Sequence, residues 1–111
     1  MNKYYLGLFS EYLVIIIYML KLHFIIHHRI RFRIGEIDII ARKGKNLVFI
    51  EVKARKNGIH EQIVSTKQKN RIINSAKLFL SKNPKYKDYN IRFDLVVVSG
   101  YKWPQIIENA W

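Results

Sequence analysis

Cysteine is absent from this chain, which excludes disulfides and thiolate-bound metals and is compatible with a reducing compartment. Acidic residues are scarce. Eight of them against 20 Lys and Arg leave a formal charge of +12. A balance this basic points to a polyanionic partner, either nucleic acid or an anionic membrane surface. Mutational bias is the competing explanation, because the chain is rich in Ile, Lys, Asn and Tyr. A membrane-spanning run is also missing. The continuous apolar stretch at residues 13–20 is far shorter than the roughly 20 residues a spanning helix needs, and Glu11, Lys21 and His23 bound it closely. No small-residue cleavage site follows it, so neither a signal peptide nor stable membrane insertion is expected. With half its residues hydrophobic, no repeats and no low-complexity linker, the chain reads as one cytoplasmic domain over residues 1–111.

What is present centres on residues 35–53, GEIDIIARKGKNLVFIEVK. Two apolar runs flank Lys43-Gly44-Lys45-Asn46, and a two-residue loop at Gly44-Lys45 suits a primed hairpin turn, which needs positive φ and therefore glycine. That loop pairs Lys43 with Asn46 and Arg42 with Leu47. It sets Asp38 opposite Glu51 and Glu36 opposite Lys53. Side chains alternate with period two, so Ile37, Ile39, Ala41, Val48, Ile50 and Val52 share one face, expected to pack on the core. Glu36, Asp38, Glu51 and Lys53 cluster on the other, at the open end. Directly opposed positions have Cβ atoms roughly 4.5–5.5 Å apart, and like charges there repel. Two carboxylates so placed need a shared proton, a nearby lysine or a cation, and Mg²⁺ is commonly held by one or two carboxylates plus waters and phosphate oxygens. The competing reading is a surface hairpin with a salt-bridge ladder from Glu36 to Lys53.

Along the rest of the chain, residues 3–21 read as a helix apolar over most of its circumference, to be largely covered by the sheet, although Val14-Ile15-Ile16-Ile17 also suits a strand. Glu11 is its sole acid, either exposed or directed at the carboxylates. Residues 24–34 alternate as a half-buried strand. Phe24, Ile26, His28, Ile30, Phe32 and Ile34 face one way, and Ile25, His27, Arg29, Arg31 and Arg33 the other, as a basic stripe. His27 and His28 then point apart and cannot share a metal with His23. Residues 54–61 are a polar connection containing Asn57-Gly58. Ser65-Thr66-Lys67-Gln68 matches a capping box that opens a helix to about Ser81. Ile72, Ile73, Ala76, Phe79 and Leu80 form its buried stripe, while Lys67, Asn70, Arg71, Asn74 and Lys77 face outward. Residues 91–99 make a central strand, parallel to the one before the helix. The tail adds a short edge strand, with its tryptophans as core anchors.

The order αβββαβ, with Asp on the second strand and Glu-x-Lys on the third, resembles the PD-(D/E)XK superfamily of nucleases. More narrowly the chain is similar to the YraN family of bacterial endonuclease-like proteins. The matching stretches are GEIDIIA at 35–41, VFIEVKAR at 48–55, STKQKNRIINSAKLFL at 65–80, RFDLVVV at 92–98 and IIENAW at 106–111. Glu11 also stands at the spacing of a helix-borne family glutamate. Three positions depart from the pattern: Val14 replaces a small alanine, Leu22 stands near a glycine, and Arg29 falls on an asparagine.

The resemblance implies an α/β fold with a restriction-endonuclease-like αβββαβ core, its mixed central sheet flanked by helices. It implies Asp38, Glu51 and Lys53 as catalytic residues. Asp38 and Glu51 are the metal ligands, with the Val52 carbonyl as a third and Glu11 as a supplement, for Mg²⁺ or Mn²⁺. Glu36 is expected to orient Lys53, and Lys67 and Gln68 to touch the water or the scissile strand. Arg29, Arg31, Arg33, Arg55, Lys67 and Arg71 are the expected nucleic-acid contacts. The activity implied is hydrolysis of phosphodiester bonds in DNA, branched or damaged forms included, with a homodimer expected if two strands are cut. The alternatives are a nucleic-acid-binding module of the same fold with a vestigial site, and a membrane-surface protein.

Overall fold

A computed structural model describes residues 3–55, 64–99 and 102–111. Helix α1 (Lys3–Leu20) is followed by strands β1 (Phe24–Phe32), β2 (Gly35–Lys43) and β3 (Asn46–Ala54). Helix α2 (Thr66–Lys82), a 3₁₀ turn at Pro84–Tyr86, and strands β4 (Asn90–Val98) and β5 (Gln105–Ile107) complete the chain. The strands form one five-stranded sheet in sequence order, antiparallel except for the β3–β4 pair, whose crossover is α2. This is the mixed αβββαβ arrangement expected, with the edge strand added. The connection at 54–61 lies almost wholly outside the described residues.

Each helix covers one face of the sheet, and the two larger apolar clusters lie one on each side. On one side Val14 and Tyr18 of α1 pack on Ile39, Ala41, Val48, Ile50 and Val96. On the other Ala76 and Phe79 of α2, with Tyr86, pack on Ile37, Ile40, Leu47 and Phe49. Both faces of the central strands are therefore apolar, as burial between two layers requires. Ile37 corrects the expected face: it packs toward α2 while Ile39 packs toward α1. The switch falls at Asp38, between the paired residues Ile30–Ile37 and His28–Ile39.

The β2–β3 hairpin has the register read from its loop. Lys43 faces Asn46 and Arg42 faces Leu47, while Gly44 takes φ +60°. Lys45 keeps negative φ, which makes a type II′ turn with glycine in its first position. The ladder stops, however, at Ile39–Ile50. Beyond that point β2 stays paired to β1 as far as Gly35, and β3 to β4 as far as Ala54. The sheet thus forks at the level of Asp38 and Glu51.

Leu22 and Arg29, neither of them glycine, lie in the left-handed region. Leu22 (φ 66°) ends α1 in a Schellman motif: His23 N–H donates to the Tyr18 carbonyl and Leu22 N–H to that of Met19, both at 2.9 Å. Arg29 (φ 60°) lies in the middle of β1. For an L-residue this conformation costs roughly 1–2 kcal/mol, which is why glycine or asparagine is favoured there.

A buried carboxylate, unassigned in the sequence reading, locks α1 to the far half of the sheet. Asp94 is fully buried and accepts from Tyr18 Oη (2.7 Å), Arg92 Nε (2.8 Å), Arg92 Nη2 (2.9 Å) and Asn109 N–H (3.1 Å). Burial and this carboxylate push the Tyr18 hydroxyl well above its ordinary pKa, so it stays a donor. Of the two tryptophans only Trp111 is an anchor, stacked on Phe93. Trp103 is 76% exposed, contrary to expectation.

Candidate active site

The fork opens into a polar cavity of about 500 Å³ between the sheet and α2. Glu11, Glu36, Asp38 and Glu51 line it, four of the eight acidic residues in a strongly basic chain. Lys53, Lys67, Gln68 and Arg71 line it as well. Gly35 keeps the strand close to the helix, since a Cβ there would stand 3.0 Å from Ser75 Oγ.

At the fork, Asp38 Oδ2 accepts the Val52 N–H at 2.8 Å, so a side chain takes a backbone donor that the ladder has released. The Asp38 carboxyl also hydrogen-bonds Glu51. Burial above all, then that bond and the charges of Glu51 and Glu11, push Asp38 up to about 9, against a smaller pull from the Val52 N–H. The Asp38 carboxyl is therefore held in its neutral form beside Glu51. Lys53 Nζ stands 3.3 Å from Glu51 Oε2, and Gln68 Nε2 donates to the same oxygen at 2.7 Å. The repulsion expected from the opposed carboxylates is thus met by a proton, a lysine and an amide together.

Gln68 reaches this position because its own backbone opens α2. Ser65 is the N-cap, and its Oγ accepts the Gln68 N–H at 3.1 Å. Half of the expected capping box forms. The glutamine side chain, which a full box turns back on Ser65, goes instead to Glu51.

Glu11 reaches the cavity from α1, but both of its oxygens are engaged. Oε1 bonds His28 Nε2 at 2.7 Å and Arg29 Nε at 2.8 Å, and Oε2 accepts from Arg29 Nη2 at 3.4 Å. Simple alternation along β1 puts His28 with Ile26 and Ile30, pointing toward α2. A register shift between Ile25 and His27 reverses it, and left-handed Arg29 restores the alternation for Ile30. Both side chains are thereby turned onto Glu11. His28 was legible only as a member of a histidine cluster that does not converge: His27 packs on Phe79 and His23 on Tyr18.

Two further expectations are corrected. Glu36 does not hold Lys53. It pairs with Arg31, whose Nε and Nη2 are both 3.2 Å from Oε2. The basic stripe of β1 is not continuous either, because Arg29 is turned onto Glu11 and Arg33 lies in the turn after the strand. Arg55 is exposed at the end of β3 and bonds the Ala54 carbonyl. Lys67 and Arg71 are exposed on α2 at the cavity rim, as read.

In chemical terms the residues brought together are two carboxylates, a lysine and an amide at the mouth of a forked sheet. Among the described residues no three His, Asp or Glu side chains form a ligand cluster. Among the described residues Asp38 and Glu51 form the donor pair that a hard divalent cation could use, since two carboxyl groups set side by side in a largely buried cleft favour positive charge between them. Among the described residues, this is an α/β protein with four of its acidic side chains in one cleft rimmed by basic ones. The chain belongs to the uncharacterised protein family UPF0102, whose model matches residues 10–98, in agreement with the YraN resemblance of its motifs. It is 45% identical over 107 residues to a UPF0102 protein of Ehrlichia ruminantium, covering 96% of this chain and 83% of that one. A UPF0102 protein of Mesorhizobium japonicum is 39% identical over 103 residues, covering 92% and 82% of the two chains. One from Francisella tularensis subsp. novicida is 43% identical over 82 residues, covering 69% and 68%.

Proposed function

We propose that this protein is a metal-dependent nuclease that hydrolyses phosphodiester bonds in DNA. The observation that carries the reading is the convergence of Asp38, Glu51 and Lys53 on one cavity in a chain of charge +12. Asp38 and Glu51 hold Mg²⁺ or Mn²⁺, which when bound neutralises phosphate oxygens and lowers the pKa of water. Gln68 fixes the Glu51 carboxylate in place. Lys53 stabilises negative charge as it develops on the phosphoryl oxygens, while water oxygen bonds to phosphorus and gives up a proton to solvent, and the bond from phosphorus to the leaving oxygen breaks. Lys67 and Arg71 at the rim contact backbone phosphates, positioning the strand without reading its sequence.

A second reading, a binding module with little or no activity, is favoured by one observation. Glu11 is occupied by His28 and Arg29, which leaves two carboxylates for a cation rather than three.

The test is cleavage of end-labelled duplex, single strand, flap and four-way junction with Mg²⁺, Mn²⁺ or EDTA. Metal-dependent cutting is expected, abolished in Asp38→Ala and in Lys53→Ala. Mn²⁺ binding should survive in the lysine variant and weaken in the aspartate one. Cutting that persists in Asp38→Ala overturns the mechanism. Salt-sensitive binding without cutting selects the binding module.

A further inference from the structure

Helix α1 is built inside out. Its exposed residues with described side chains are Tyr5, Leu6, Phe9, Tyr12, Ile16, Met19 and Leu20, all apolar and each at least 42% exposed. Its polar residues Ser10 and Glu11 are buried. Tyr5, Phe9, Tyr12, Ile16 and Met19 follow one another at steps of four, three, four and three. That average of 3.5 residues is the period of a seam meant for another helix.

We infer that this stripe is the interface between two copies of the chain, paired antiparallel through α1 about a twofold axis at Tyr12. Three features select a second copy as the occupant. The first is area: seven large side chains exposed by about half present on the order of 700 Å², close to the ~800 Å² that each partner contributes to a standard interface. The second is shape. Aromatic residues occupy the first half of the stripe and aliphatic ones the second. Antiparallel pairing therefore sets Tyr5 against Met19 and Phe9 against Ile16 of the other copy, the self-complementarity a twofold contact requires. The third is charge. Copies of a +12 chain repel one another, and α1 carries no Lys or Arg between Lys3 and Lys21, so like charges come together only at the two ends of the stripe and not along it. A helix lying on a lipid surface differs in kind, because it sets Lys and Arg on a polar face beside its apolar one. The other face of α1 is against the sheet. The inference does not depend on what the carboxylates do.

The experiment is sedimentation equilibrium of the full chain across a dilution series, in salt high enough to strip nucleic acid. A mass of twice 13.3 kDa is expected. Ile16→Glu, an exposed position, should weaken self-association at least tenfold with an unchanged circular dichroism spectrum. Because the chain has no cysteine, Tyr12→Cys provides a second route. Mild oxidation should link it to another copy of itself, while Asn74→Cys on the outer face of α2 stays unlinked. A monomeric wild type at every dilution overturns the inference. So does a dimer indifferent to Ile16→Glu in which Tyr12→Cys does not cross-link. A wild-type monomer that pellets with anionic vesicles, and loses that with Ile16→Glu, assigns the stripe to lipid instead.

Discussion

Helices α1 and α2 flank the same sheet with opposite logic. The outer face of α2 carries Lys67, Asn70, Arg71, Asn74, Lys77 and Lys82, and its core side is Ile72, Ala76 and Phe79. This is the ordinary division for a helix with one face in water. In α1 the apolar side chains point outward as well as inward, and the one charged residue in its middle is buried. Yet both helices deliver polar side chains to the same cavity, Gln68 from α2, with Lys67 and Arg71 at the rim, and Glu11 from α1. The difference lies in how each is held. Gln68 comes from the capped first turn of a solvated helix, whereas Glu11 is sunk beneath an apolar one and needs two cationic or donor partners from β1. The first arrangement is local in sequence, and the second depends on two irregularities in a neighbouring strand.

The largest effect is expected where the two helices close over the same residue. Asp38 is pushed up in the folded chain, so its contribution to stability is present in full below its unfolded pKa, about 4. That contribution is lost as pH rises toward the folded value of about 9. Thermal unfolding of the metal-free wild type should therefore weaken steadily from pH 5 to pH 9. Asp38→Asn, which keeps an acceptor for the Val52 N–H, should be nearly flat across that range. At pH 8 it should be the more stable protein, by on the order of a few kcal/mol. A parallel decline in the variant would mean that some other group titrates.

Next in size is a direct contrast between the helices. Glu11→Ala removes the buried carboxylate that His28 and the partly exposed Arg29 share and should cost about 2–3 kcal/mol, the range of hydrogen bonds to a charged group. Gln68→Ala removes a neutral donor at a half-exposed site and should cost about 1 kcal/mol. Denaturant midpoints of the two variants check the order, and equal losses would erase the distinction drawn here. Smallest are the helix ends. Leu22→Gly should stabilise by roughly 1 kcal/mol by relieving the left-handed C-terminus of α1, and Ser65→Ala should destabilise by about 1 kcal/mol by uncapping α2. Opposite signs in a thermal shift are the outcome sought.

The parts of this molecule governed by short-range rules could be read from the chain. The turn at Gly44 sets the register that aligns Asp38 with Glu51, and Ser65 starts α2. The parallel β3–β4 pair follows from having a helix between two strands. What resisted reading is where a period-two pattern breaks. Nothing local announces the fork beyond Ile39–Ile50, the bulge after Ile25 or the left-handed Arg29, because each is fixed by tertiary contacts. Those breaks place Ile37 toward α2, turn His28 to Glu11 and leave Glu36 with Arg31 instead of Lys53. The exposure of α1 escaped for a different reason: hydropathy gives the apolar residues but not how many layers cover them. Likewise Asp94 could be seen in RFDLVVV as a motif residue, but not as a fourfold acceptor joining α1, β4 and the tail.

The fork has one more consequence. Inside a continuous ladder an amide proton senses only its backbone partner, whereas the Val52 amide is held by an ionisable side chain at the centre of the cavity. Its nitrogen and proton resonances must therefore move whenever the Asp38 carboxyl gains or loses charge. A single cross-peak in an amide correlation spectrum thus serves as an internal electrode for the site, readable without substrate and without turnover.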